Sequence, residues 1–69
     1  MYKRIRELRE DGELTQKYMA ALLKVGQTTY SRYENGKLDI PSRALIKLAR
    51  FYNVSIDYLL GESDEARRM

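Results

Sequence analysis

Cysteine and histidine are both absent from the 69 residues. With them go disulfide frameworks, Cys/His zinc sites, thiol nucleophiles and every catalytic arrangement built on imidazole. Proline occurs once, at Pro41, and glycine four times, so little interrupts the formation of helices. Period-two alternation is sustained nowhere, and Val, Ile and Thr are scattered, which leaves no material for a sheet. The longest apolar run, 19–23, has five residues, where a membrane helix needs about 20. Charge of one sign is in only slight excess: 13 Lys and Arg against 10 Asp and Glu leave +3, which permits a nucleic acid partner without requiring one. The N-terminus is charged from Lys3 onward with no apolar stretch behind it, so a cytoplasmic protein is expected.

Two independent cores need roughly 100 residues or more. A single domain is therefore expected over 1–61, with a polar, flexible tail over 62–69. One core of this size rarely supplies more than about 3–5 kcal/mol, so dimerisation would help it.

Apolar residues recur at three- and four-residue spacings, and the pattern predicts an all-α fold, a bundle of five helices. The first spans 2–10, with Ile5 and Leu8 inward, and ends at Asp11 and Gly12. Thr15 caps the second, 16–23, whose Met19, Ala20 and Leu23 face inward. A tight turn of Lys24, Val25 and Gly26 leads to the third, 27–34, closed by Asn35 and Gly36 as a pair suited to the left-handed conformation. Pro41 and Ser42 start the fourth, which ends near Asn53 with Ala44, Leu45, Leu48, Ala49 and Tyr52 inward. Ser55 caps a short fifth helix carrying Ile56, Leu59 and Leu60, stopped by Gly61.

The third helix carries the chemistry. At about 100° per residue, Tyr30, Tyr33 and Glu34 share one side, and Thr28, Ser31, Arg32 and Asn35 the other. The outward groups of Gln27, Thr28, Ser31 and Arg32 are amide, hydroxyl and guanidinium, the types that read base edges. Arg bonds guanine O6 and N7 bidentately, Gln does the same to adenine, and the Thr methyl meets that of thymine. Four polar residues on one face also suit an ordinary solvated helix. The order of parts narrows this: a capped short helix, a three-residue turn and a second short helix follow the helix-turn-helix plan.

Leu14, Thr15, Gln16, Ala20, Leu23 and Val25, then Thr29, Ser31, Arg32, Tyr33, Glu34, Asn35, Gly36 and Lys37, closely resemble the Cro and phage-repressor type (XRE-like) helix-turn-helix family. The likeness extends from Ile5 to Gly61, because the run Val54, Ser55, Ile56, Asp57, Tyr58, Leu59, Leu60 is similar to that family's ending. It implies a lambda-repressor-like bundle whose third helix enters the major groove of double-stranded DNA while the second crosses above the backbone. It places Gln27, Thr28, Ser31 and Arg32 at positions that approach bases. It also places Gln16 where a phosphate is gripped, with Asn35 and Lys37 for further phosphate contacts. Unpaired amides at a helix N-terminus support a phosphate near Thr15 and Gln16 on physical grounds, with Lys17 beside them on the outer side. The same resemblance pairs Arg9 with Glu34 as a structural ion bridge. Two positions depart from the pattern: Lys24 stands where glycine is common in the turn, and Gly26 where a Ser or Thr caps the third helix.

The reading that results is a sequence-specific DNA-binding transcriptional regulator, a repressor acting as a homodimer. Exposed apolar residues around the fifth helix (Ile56, Tyr58 or Leu59) are the expected dimer contact. The alternative is a protein-binding module, an antitoxin or adaptor, with DNA binding secondary. Six tyrosines raise stacking on single-stranded nucleic acid, but Tyr30, Tyr33, Tyr52 and Tyr58 stand at packing positions. An enzyme is not expected: Asp11, Glu13, Glu62, Asp64 and Glu65 lie in turns or the tail, and no glycine-rich phosphate loop occurs. No motif calls for a cofactor, a metal, a small-molecule ligand or a membrane.

Overall fold

Thr15 and Ser55 sit in extended backbone, and each hydroxyl accepts the amide hydrogen three residues on, from Tyr18 and Tyr58, with N···O distances of 3.0 Å. These caps start α2 (Gln16–Leu23) and α5 (Ile56–Leu59) where the sequence predicts them. The computed structural model describes residues 2–62 and contains three further helices, α1 (Lys3–Asp11), α3 (Gln27–Glu34) and α4 (Ser42–Tyr52), with no strand among the described residues. The flexible tail expected over 62–69 lies, apart from Glu62, outside the described residues.

Each helix contributes one large side chain with no exposed surface: Ile5, Met19, Tyr30, Leu48 and Leu59. All five belong to one buried cluster, and full burial of a side chain of this size is worth about 1.5–3 kcal/mol. The inward residues read from the spacing are buried in the core, including both tyrosines of α3, or, for Leu8, Leu23, Ala44, Leu45 and Tyr52, partly buried against it. Tyr52 supports the centre from the edge, its hydroxyl lying 3.8 Å from the Met19 sulfur.

Some local expectations are corrected. Helix α1 begins and ends one residue later than expected, with Tyr2 as its N-cap and Gly12 as its C-cap. Only Gly36 of the Asn35 and Gly36 pair is left-handed (φ 73°); Asn35 keeps a right-handed φ of −83°. Leu59 is wholly buried and so is not an exposed apolar residue, whereas Ile56 and Tyr58 are half-buried against the core. Tyr58 is also covered by the Arg4 guanidinium, 4.2 Å from its ring centroid.

The turn between α2 and α3 shows both departures noted in the sequence. Lys24 takes φ 58°, a left-handed conformation costing about 1 kcal/mol for a residue with a side chain. Gly26 caps α3 in extended backbone, and a Cβ built on it meets nothing within 4 Å. Gly26→Ser supplies a capping hydroxyl and removes freedom from the unfolded chain. Stability is expected to rise by about 0.5–1 kcal/mol, measured as a higher urea midpoint at unchanged slope.

Candidate nucleic-acid interface

Helix α3 is held by its two buried tyrosines, and this turns its other side outward. Gln27, Thr28 and Arg32 are exposed and Ser31 is half-buried. Together with Gln16 from α2 and Asn35 and Lys37 from the loop after α3, they line one open concavity of about 470 Å³. No carboxylate among the described residues lines it. All four residues expected to meet bases share this hollow with three of the five expected to meet phosphate. Thr15 and Lys17 stand outside it on the exposed start of α2, where the Thr15 hydroxyl already serves as the cap.

Local bonds hold the rim. The Lys37 amide donates to the Arg32 carbonyl at 3.0 Å, bending the chain back after α3, and the Asn35 side-chain amide reaches the Ser31 hydroxyl at 3.4 Å. Below the hollow, Arg9 and Glu34 form a bidentate pair: Nε donates to Oε2 at 2.6 Å and Nη2 to Oε1 at 3.2 Å. The remaining Nη1 donates to the Leu14 carbonyl at 2.9 Å, so this guanidinium ties α1 to α3 and to the loop before α2.

Gln16 has a role that spacing did not reveal. Its side-chain amide donates to Glu34 Oε1 at 3.2 Å, which joins it to the ion pair and leaves its second amide hydrogen unspent. Periodicity locates a residue on its own helix and carries no signal for a bond between helices. Burial works against charge on Glu34, but the bonds from Arg9 and Gln16, with the Arg9 charge, outweigh it and hold the carboxyl below its usual range. The bond to Glu34 raises Arg9 in turn, against a smaller loss from burial.

The Tyr30 and Tyr52 hydroxyls remain protonated. Burial, aided by the charge on Glu34, pushes Tyr52 up to about 12 and Tyr30 higher still. The Tyr30 hydroxyl neighbours Glu34 yet is buried without a hydrogen bond of good geometry. Removing an unsatisfied buried hydroxyl is close to neutral or stabilising. Tyr30→Phe is thus expected to leave stability unchanged or raise it by up to about 1 kcal/mol in thermal melts; a larger fall would show the hydroxyl bonded to the carboxylate.

Two short helices joined by a three-residue turn, the second presenting a polar, acid-free face, define a helix-turn-helix domain. A family model described as helix-turn-helix matches residues 5–59, and the chain belongs to that family. It is 39% identical over 66 residues to the HTH-type transcriptional regulator ImmR of Bacillus subtilis (strain 168), covering 96% of this chain and 52% of that one. It is 38% identical over 61 residues to the cryptic phage CTXphi transcriptional repressor RstR of Vibrio cholerae, covering 88% and 55%. The chain spans about half the length of these curated relatives. The crystal structure of a transcriptional regulator from Listeria innocua superposes with a TM-score of 0.86 at 28% identity, covering 99% of this chain and 64% of that one.

Proposed function

We propose that this chain binds double-stranded DNA sequence-specifically, with α3 in the major groove, as the DNA-reading part of a transcriptional regulator that represses. The observation that carries the reading is the hollow on α3, where donors and acceptors of base-reading type meet two cations and, among the described residues, no anion. Relatives named as regulators and a repressor support it.

Within it, Gln27, Thr28, Ser31 and Arg32 meet base edges, and Thr15, Gln16, Lys17, Asn35 and Lys37 meet phosphates. Free amides at the start of α2 add partial positive charge on the phosphate side. The longest dimension of the domain is 30 Å, less than the roughly 34–36 Å between successive major grooves on one side of a duplex. One chain therefore covers one half-site, and a homodimer on a pseudo-palindrome is the economical way to cover two.

Selection of bound duplexes from a random pool at physiological salt, followed by a salt titration, tests this. Enrichment of half-sites about 10 base pairs apart is expected, with log K falling against log salt at about −0.9 per phosphate contacted. No enrichment and a flat slope would overturn the reading in favour of a protein-binding adaptor.

A further inference from the structure

A second surface lies away from the α3 hollow and shares no lining residue with it. Its centre is a cleft of about 500 Å³ whose lining includes Leu22 of α2 and Ile46 and Phe51 of α4. Ile46 is 42% exposed, Phe51 40% and Tyr18 51%, and the Tyr18 and Phe51 rings meet at 6.2 Å beside the cleft. These are three of the four large apolar residues left exposed among the described residues, and they are adjacent rather than scattered. Contiguous exposed apolar surface of this kind marks a binding site more often than single exposed residues do.

The charges that line it are of one sign, and the nearest acid, Asp57, lines the adjoining hollow on the far side of Ile46 and Arg50. Arg43, Lys47 and Arg50 stand at i, i+4 and i+7 on α4 and line the same cleft. Neither α2 nor α4 contains an Asp or Glu, and none of these three cations has an ion-pair partner among the described residues. A second copy of the chain is a poor occupant, because a two-fold interface would set the same three cations against their own images. A duplex is also a poor occupant, since a phosphate backbone has no apolar ridge to fill a cleft lined by Leu22, Ile46 and Phe51.

We propose that this face docks an acidic, amphipathic helix of a partner protein, its apolar side seated in the α2/α4 cleft and its carboxylates against Arg43, Lys47 and Arg50. The spacing of the cations along α4 matches carboxylates one turn apart on the incoming helix. Docking here leaves the α3 hollow uncovered, so the partner and the ligand of that hollow bind together. The proposal does not rest on the DNA reading.

The test is fluorescence anisotropy of a labelled peptide of about four helical turns, with Leu and Phe on one side and Glu on the other, titrated with the intact chain. Saturable binding is expected. It weakens at least about tenfold in the double variant Lys47→Glu with Arg50→Glu, and in Ile46→Ser, while the circular dichroism and melting midpoint of both variants stay near those of the parent. Equal binding of a scrambled peptide of the same composition, or unchanged affinity in folded variants, would overturn the proposal. So would binding to phosphatidylglycerol vesicles without binding to the peptide, which would make the face a membrane surface. Self-association of the parent that the double reversal abolishes in sedimentation would assign the face to a second copy, and would overturn it too.

Discussion

Arg9→Ala is expected to bring the domain to the edge of unfolding, with a loss of about 3–5 kcal/mol. The Arg9 side chain is only 13% exposed and that of Glu34 only 2%, so the pair is nearly dry and water cannot replace the missing partner. Truncation leaves Glu34 buried with Gln16 as its remaining well-formed donor, and leaves the Leu14 carbonyl without its guanidinium. A domain of this size has total stability of about 3–10 kcal/mol, so the loss consumes a large part of it. Urea denaturation followed by circular dichroism reads the effect directly. A midpoint unchanged from the parent would show the pair to be solvated and energetically idle.

The same pair gives stability a sign against pH. Glu34 titrates below its ordinary range when folded, so its contribution is complete above the unfolded carboxylate value of about 4.3 and is lost as pH falls through the folded value. Acid should therefore destabilise the parent more steeply than Glu34→Gln, which has no carboxylate to protonate at that position. The glutamine variant starts from lower stability at neutral pH, and the gap between the two proteins should narrow on acidification.

Sequence patterning was most legible where one local rule decides the outcome. Thr15 and Ser55 announce α2 and α5 because a hydroxyl in extended backbone satisfies an otherwise orphaned amide, and both caps form. The two sides of α3 follow from Tyr30 and Tyr33 sharing an angular sector, and both rings are buried. Legibility failed where tertiary contacts chose among local options. In the loop after α1 the left-handed residue is Glu13, at φ 56°, while Gly12 keeps a negative φ. Gly12 is suited to its place by room rather than by conformation, since a Cβ there would lie 3.3 Å from the Leu14 side chain. Leu59 looked available for a partner because a four-residue helix has too few positions to define an apolar stripe. Its burial depends on how α5 folds back on α1 and α4.

Arg32 and Lys37 are expected to separate base reading from phosphate binding. Both are exposed on the rim of the same hollow, and the backbone bond between the Lys37 amide and the Arg32 carbonyl fixes their relative position. They differ in chemistry. A guanidinium on the outward side of α3 can present two parallel donors to guanine O6 and N7, while an ammonium on the loop beyond the helix is a point charge suited to the backbone. Arg32→Ala should therefore cost about 1–3 kcal/mol on the preferred duplex and relax preference at one base pair, with little loss on unrelated sequence. Lys37→Ala should weaken every duplex alike and make the salt slope shallower by about 1. Neither substitution removes a buried contact, so melting midpoints should stay near that of the parent, which confines the comparison to binding. Equal losses on all duplexes for Arg32→Ala would move it to the phosphates and leave Gln27, Thr28 and Ser31 to read the bases.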